Sequence, residues 1–249
     1  MMRIAPLWTV ALVCGISPTA FGAPISFGPS PYLSFAGDSP FASALAAGDF
    51  DYFFLEDFED GLANTPGLIL PAGHSVALGV AAPHGGTFID SVQEDFGPGD
   101  GFVGGSLFVG HNVTGLPVLI SFDAGVLGKL PTHVGLVVTD LQVFGQLDFM
   151  EPVTLEAFGP GGVSLGTVTD PNFGNSTTFG GTDEDRFLGF FSDAGIESIS
   201  ITSPSLVQLE LDHIQYGGVV PEPSSFILVC IGAIGFAVYR RRHKLKHVA

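Results

Sequence analysis

From about residue 50 to residue 214, short runs of β-branched and aromatic residues alternate with breaks rich in glycine and proline. The runs that read as strands are Tyr52 to Leu55, Ser75 to Val80, Thr87 to Val92, Ser106 to Val109, Val118 to Phe122, Val134 to Leu141, Val153 to Phe158, Val163 to Val168, Phe187 to Phe191, Ile196 to Thr202 and Val207 to Ile214. Between them lie turn signals such as Gly97-Pro98-Gly99, Gly159-Pro160-Gly161-Gly162 and Gly180-Gly181, residues that suit a reversing backbone. In Ile196-Glu197-Ser198-Ile199-Ser200-Ile201 and in Val207-Gln208-Leu209-Glu210-Leu211 apolar and polar positions alternate, so one face is buried and the other wet. Many short strands at regular spacing, with hardly any helical period, predict an all-β fold, an antiparallel β-sandwich. No repeat of roughly 20 to 50 residues suggests a propeller or solenoid. Ahead of the strands, Pro24 to Gly37 reads as an extended lead-in. Ser39-Pro40 then has the form of a helix start, predicting one short helix from Phe41 to Ala47 that ends at Gly48.

Two apolar runs at the ends differ from this pattern. Leu7 to Ile16, behind Arg3 and before Ala20 and Gly22, predicts a secretory signal peptide over residues 1–22. Cleavage after Gly22 satisfies the small-x-small rule. Cleavage after Ala23 would place Phe21 at the first small position and Pro24 just beyond the cut. The second run, Phe226 to Tyr239, is 14 residues long. As a helix it spans about 21 Å against a hydrocarbon core of about 30 Å. Ser224, Ser225 and snorkelling arginines narrow that gap, so a short transmembrane helix over 224–239 is expected, with Arg240, Arg241 and Arg242 on the cytoplasmic side. The chain thus divides into a signal peptide (1–22), a lead-in (23–48), a sandwich (49–217) and a tail (218–249).

Removing the two ends changes the charge. The whole chain carries −17, but between residues 23 and 220 only Lys129 and Arg186 stand against twenty-four acids, a formal −22. Such a surface repels nucleic acid and anionic lipid and leaves cations, neutral sugars and hydrated polymer as partners. Both cysteines, Cys14 and Cys230, also leave with the ends, so no disulfide and no cysteine nucleophile belongs to the sandwich.

Pro221-Glu222-Pro223, a short apolar helix and the cluster Arg240-Arg241-Arg242 together resemble the PEP-CTERM sorting signal of Gram-negative bacteria. The resemblance implies export by the secretion machinery, a transient stay in the inner membrane, and cutting near Pro221 to Pro223 by an exosortase. Delivery to the envelope or extracellular matrix follows. The same tail closes some ice-binding proteins. The middle resembles the jelly-roll domains often found with this tail, through Leu55-Glu56-Asp57-Phe58-Glu59-Asp60-Gly61 and Leu211-Asp212-His213-Ile214-Gln215-Tyr216-Gly217. Pro131-Thr132-His133-Val134-Gly135 and Glu184-Asp185-Arg186-Phe187 carry it further. Lectin-like jelly rolls commonly tie first strand to last with a structural Ca²⁺, and that resemblance nominates Glu56, Asp57 or Asp60 with Asp212. The other reading of these acids is a solvated face, and they do not match the EF-hand loop.

The remaining chemistry is sparse. His74, His84, His111, His133 and His213 show no zinc spacing, and no Gly-x-Ser-x-Gly elbow occurs. Arg186, whose planar fork suits a carboxylate, reads as one half of a structural ion pair. The only tryptophan, Trp8, leaves with the signal, so Tyr32, Tyr52 and Tyr216 are the rings available for stacking on a sugar. The expectation is an exported, non-enzymatic surface or matrix protein. Behind it stand a carbohydrate-binding module and, further back, a secreted hydrolase or an ice-binding protein.

Overall fold

Period-two alternation sorts side chains onto two faces, and each buried face needs a second layer to cover it. The computed structural model describes residues 22–71, 74–79, 92, 104–109, 117–142, 150–174, 183–204, 208–219, 232 and 234–236. In chain order the elements are β1 (Ile25–Pro31), α1 (Phe35–Asp38), α2 (Ala42–Ala47), β2 (Phe50–Glu56), β3 (Leu68–Ile69), β4 (His74–Gly79) and β5 (Gly104–Val109). Then follow β6 (Val118–Phe122), α3 (Ala124–Leu127), β7 (His133–Gln142), β8 (Glu151–Gly159), β9 (Val163–Phe173), β10 (Arg186–Phe191), β11 (Ser198–Thr202) and β12 (Gln208–Val219).

Two antiparallel sheets result. The first runs β1-β10-β7-β12-β5-β4 with β2 also on β12, and the second runs β3-β6-β11-β8-β9. Strand β12 is the spine of the first sheet. One flank pairs with β7, while the other takes β5 opposite Leu209 to Leu211 and β2 opposite Ile214 to Val219. Leu136, Leu188, Leu211, Ile214 and Tyr216 from this sheet meet Ile120, Leu155, Ile199 and Ile201 from the other in one buried cluster. Each such side chain contributes about 1.5–3 kcal/mol by leaving water. At the edge, Arg186 Nε on β10 approaches Asp170 Oδ2 on β9 to 3.5 Å, the structural pairing its sequence context suggested.

The outer face of the first sheet is buried too. Tyr32 and Phe41 from the N-terminal segment pack on Val137 and Phe187 of the sheet and on Val92, with Phe27, Phe50 and Phe53 at the margin. Phe41 lies edge-on to Phe27, Phe187 and His133. The lead-in is therefore part of the sandwich: β1 is an edge strand and α1 and α2 form a cover. The sequence reading missed β1 because Pro29 and Pro31 interrupt it. Proline removes a ladder donor but is tolerated at a sheet edge. Helix α2 begins one residue later than expected, behind a Ser39 Oγ that accepts the Phe41 N–H at 3.1 Å, and it ends at a left-handed Gly48 as expected.

The other expected strands within the described residues form, with ends moved by a few positions. The largest changes are in β9 and β12, which run five residues past Val168 and Ile214. Gly217 and Gly218 do not end β12, because their bare backbone lets the rings of Phe50, Phe53 and Tyr52 occupy the space a Cβ would need. The expected strand Thr87 to Val92 lies outside the described residues except for Val92, as does the signal peptide apart from Gly22. Gly22 and Ala23 at the expected signal cut are exposed. Of the expected membrane helix, Gly232 and residues 234–236 are described, as exposed helix. Among the described residues no helix is long and apolar enough to cross a membrane.

Candidate functional site

The densest polar chemistry lies between β12 and the N-terminal cover. A bulge opposite β7 turns both Asp212 and His213 outward, and His213 takes a left-handed φ of 44°. Ser39 Oγ donates to Gln215 Oε1 at 2.5 Å, and Gln215 Nε2 donates to Tyr32 Oη at 2.9 Å. The tyrosine proton is then directed to His213 Nδ1, 3.0 Å away, which must be unprotonated to accept it. Burial holds His213 down at about 4, where a free histidine titrates near 6.5. Asp212 accepts the Val92 N–H at 2.8 Å and the His213 N–H at 2.6 Å. Burial pushes its carboxyl well above the ordinary range, those two N–H groups pull it back, and Glu59 and Asp57 raise it again. This layer joins the cover to the spine strand. It is closed to solvent, so it positions the fold rather than a ligand.

Of the acids nominated for calcium, Asp57 acts on the Asp212 carboxyl, but Glu56 does not join them. Glu56 lies opposite Ile214 and therefore faces the inner core, whereas Asp212 faces the outer cover. Glu56 Oε2 accepts from Asn64 N, Thr65 N and Thr65 Oγ1 at 2.8–3.0 Å, and Oε1 from Phe58 N at 3.3 Å. Asp57 and Asp60 cap turns through Glu59 N and Leu62 N. Among the described residues no group of three acidic, histidine or cysteine side chains is placed to hold an ion. Strands β2 and β12, which carry the two jelly-roll-like motifs, are neighbours, and loop N–H groups occupy Glu56.

The tyrosines considered for sugar stacking are not on open surface. Tyr32 and Tyr216 are fully buried, Tyr216 donating to Pro66 O at 2.7 Å, and burial raises its phenol to about 12. Tyr52 is half-buried and donates to Lys129 O at 2.9 Å.

An open cleft of about 690 Å³ lies instead at one end of the second sheet. Ser121 and Ser198 floor it, exposed Ile69 and Leu119 flank it, and α3 and the Pro160-Gly161-Gly162 hairpin tip wall it. Glu197 Oε2 holds that tip through Gly161 N at 2.8 Å, and Asp123 caps α3 through Gly125 N at 2.7 Å. Beyond the cleft the register continues one hydroxyl-bearing face: Ser200 opposite Leu119 and Glu156, Thr202 opposite Thr154, and Thr154 opposite Thr169. No sequence signal marked this face. Its serines and threonines are the ordinary polar half of the alternation, and only cross-strand register assembles them.

The last feature is where β12 leaves the sheet. Val219 pairs with Phe50. Its N–H goes to Thr132 Oγ1 at 3.2 Å, and its carbonyl accepts from Lys129 Nζ at 2.6 Å. Lys129 also pairs with Asp51, and Thr132 N donates to Gly217 O at 2.8 Å. A pocket of about 430 Å³ adjoins this exit, between Lys129, Thr132, Asp193 and Val219. The sequence offered one signal for it: Lys129 is one of two cations in a strongly acidic domain.

A comparison with curated proteins found no match. Among solved structures, the chain is similar to the C-terminal family 22 carbohydrate binding module of Clostridium thermocellum Xyn10B, a structure studied for conserved residues in its cleft. The identity is 13%, the alignment covers 71% of this chain and 98% of that one, and the TM-score is 0.27, a likeness too slight to say what this chain binds. Pro221, Glu222, Pro223 and Arg240 to Arg242 lie outside the described residues, and their assignment rests on sequence. Residues 219–242 match the PEP-CTERM protein-sorting motif, so this chain carries that motif, starting on the last residue of β12.

Proposed function

We propose that the protein is an exported, non-enzymatic component of the cell surface or extracellular matrix, delivered through its tail. The observation that carries this reading is the sorting motif at residues 219–242, directly behind a folded β-sandwich. The motif supports exosortase as the processing partner and a transient stay at the membrane. With the tail removed, most of the chain's positive charge is removed too, leaving an acidic domain suited to hydrated neutral polymer rather than anionic lipid. Mass spectrometry of the mature protein from cells with an active exosortase tests it. A C-terminus near Pro221 to Pro223 is expected, and a C-terminus still at Ala249 refutes it.

A second reading, that the domain binds polysaccharide, is favoured by the cleft and hydroxyl face of the second sheet. Ser121 and Ser198 offer both donors and acceptors, Leu119 and Ile69 offer apolar surface, and Asp123 and Glu197 disfavour an acidic polymer. Affinity electrophoresis should show retardation in neutral but not uronate-rich polysaccharide. Ser198→Trp, which fills the cleft from a half-buried strand position on its floor, should abolish it. Equal mobility of parent and variant in every gel removes this reading.

A further inference from the structure

We infer that Lys129 and Thr132 form a clamp on the first residue of the sorting motif, so that removal of the tail is gated by opening of this strand end. The inference rests on the reading that the chain is cut near Pro221 to Pro223.

The geometry leaves no spacer between fold and motif. Val219 is at once the last residue of β12 and the first of the motif. Its N–H and carbonyl are both engaged, by Thr132 Oγ1 and Lys129 Nζ, side chains about ninety positions upstream. Gly218 is pressed between the Lys129 stem and the Tyr52 ring, since a Cβ there would lie 2.7 Å from each. An enzyme that hydrolyses a peptide bond takes the chain extended on both sides of that bond and pairs with its backbone. Water supplies the hydroxyl of the new carboxylate and the proton of the new amine. The residues just before the cut therefore have to leave β2, Thr132 and Lys129 before they can enter such a cleft.

Distance reinforces this. The seven positions from Val219 to Phe226 span at most about 25 Å when extended. With the apolar run in a bilayer, that length keeps the Lys129 end of the sandwich within about 25 Å of the membrane surface, so little further chain is free for an enzyme. Lys129 is the key element because only Arg186 shares its charge in the domain, and Arg186 is engaged with Asp170 on β9. Replacing it by methionine keeps the stem on Gly218 and deletes the ammonium. One charge-assisted hydrogen bond lost at a part-exposed site raises the open population about tenfold.

The experiment follows tail removal by pulse-chase in exosortase-containing cells for four chains: the parent, Lys129→Met, the parent with a six-residue Gly-Ser spacer after Val220, and Lys129→Met with the same spacer. Lys129→Met should be processed about tenfold faster than the parent, and both spacer chains should be equally fast. Equal rates for the parent and Lys129→Met overturn the gate. Hydrogen exchange at the Val219 amide of the purified full chain supplies the second measurement. Protection in the parent that falls about tenfold in Lys129→Met is expected, and an unprotected parent amide overturns the clamp. If no chain, spacer included, loses its tail, the sorting reading has failed, while the exchange result still decides the clamp.

Discussion

The buried histidine of the spine strand makes a quantitative prediction about acid. In the folded protein His213 titrates at about 4, and in the unfolded chain near its ordinary 6.5. The neutral form accepts the Tyr32 proton at Nδ1 in a site with 2% of its surface exposed. A base whose folded pKa is depressed contributes stability that is fully present above 6.5. As pH falls from 6.5 toward 4 the unfolded chain takes up a proton that the fold refuses, and stability drops by about 1.36 kcal/mol per pH unit. Across that window the loss from this one residue is about 3 kcal/mol, flat below it. Asp212 beside it acts in the opposite sense. Its raised carboxyl pKa means that the fold holds a proton the unfolded chain releases as pH rises, so acid relieves part of the burial penalty. The perturbation must therefore isolate the histidine. Asparagine suits position 213 because it tolerates the left-handed φ of 44°, and it does not titrate. Urea unfolding of the parent and His213→Asn at several pH values between 7 and 4 gives the answer. The parent should lose about 3 kcal/mol more than the variant, a relative midpoint shift on the order of 1.5 M urea. The variant's lower stability at pH 7, from lost packing, does not enter this difference. Parallel pH profiles for the two chains would refute the assignment of a buried, neutral His213.

Other outcomes follow from the packing. Gly135→Ala places a Cβ 2.2 Å from Phe187 Cζ and 3.2 Å from Leu188 O, against a ring with no exposed surface. It should cost about 3 kcal/mol and lower Tm by on the order of 10 °C in thermal unfolding followed by circular dichroism. Glu56→Ala strips the Phe58 to Thr65 loop of its shared acceptor and should cost about 3 kcal/mol by urea titration. Since that carboxylate is already filled by donors, a chelator should leave Tm of the parent unchanged, and a fall of several degrees would restore a bound cation among these acids.

Much of the sandwich was legible because alternation is local: Ile199 and Ile201 on β11 and Leu209 and Leu211 on β12 point inward in both sequence and structure. The N-terminal cover was not, because nothing local says that Tyr32 and Phe41 will find Phe187, or that prolines near an edge still leave a strand. Glu56 was grouped with Asp212 for a related reason. Glu56 and Asp212 are on neighbouring strands, but a face is set by register, and register put them on opposite sides of the sheet.

By itself the sequence determined the sorting motif, the acidity of the domain and the all-β class. Each is a property of linear order or composition, and a motif read as an exposed peptide needs no fold to be recognised. Only the tertiary structure decided that the motif begins inside the sheet, held by Lys129 and Thr132. That contact joins positions about ninety residues apart and exists because β7, β12 and β2 pair side by side, a choice made by the whole core.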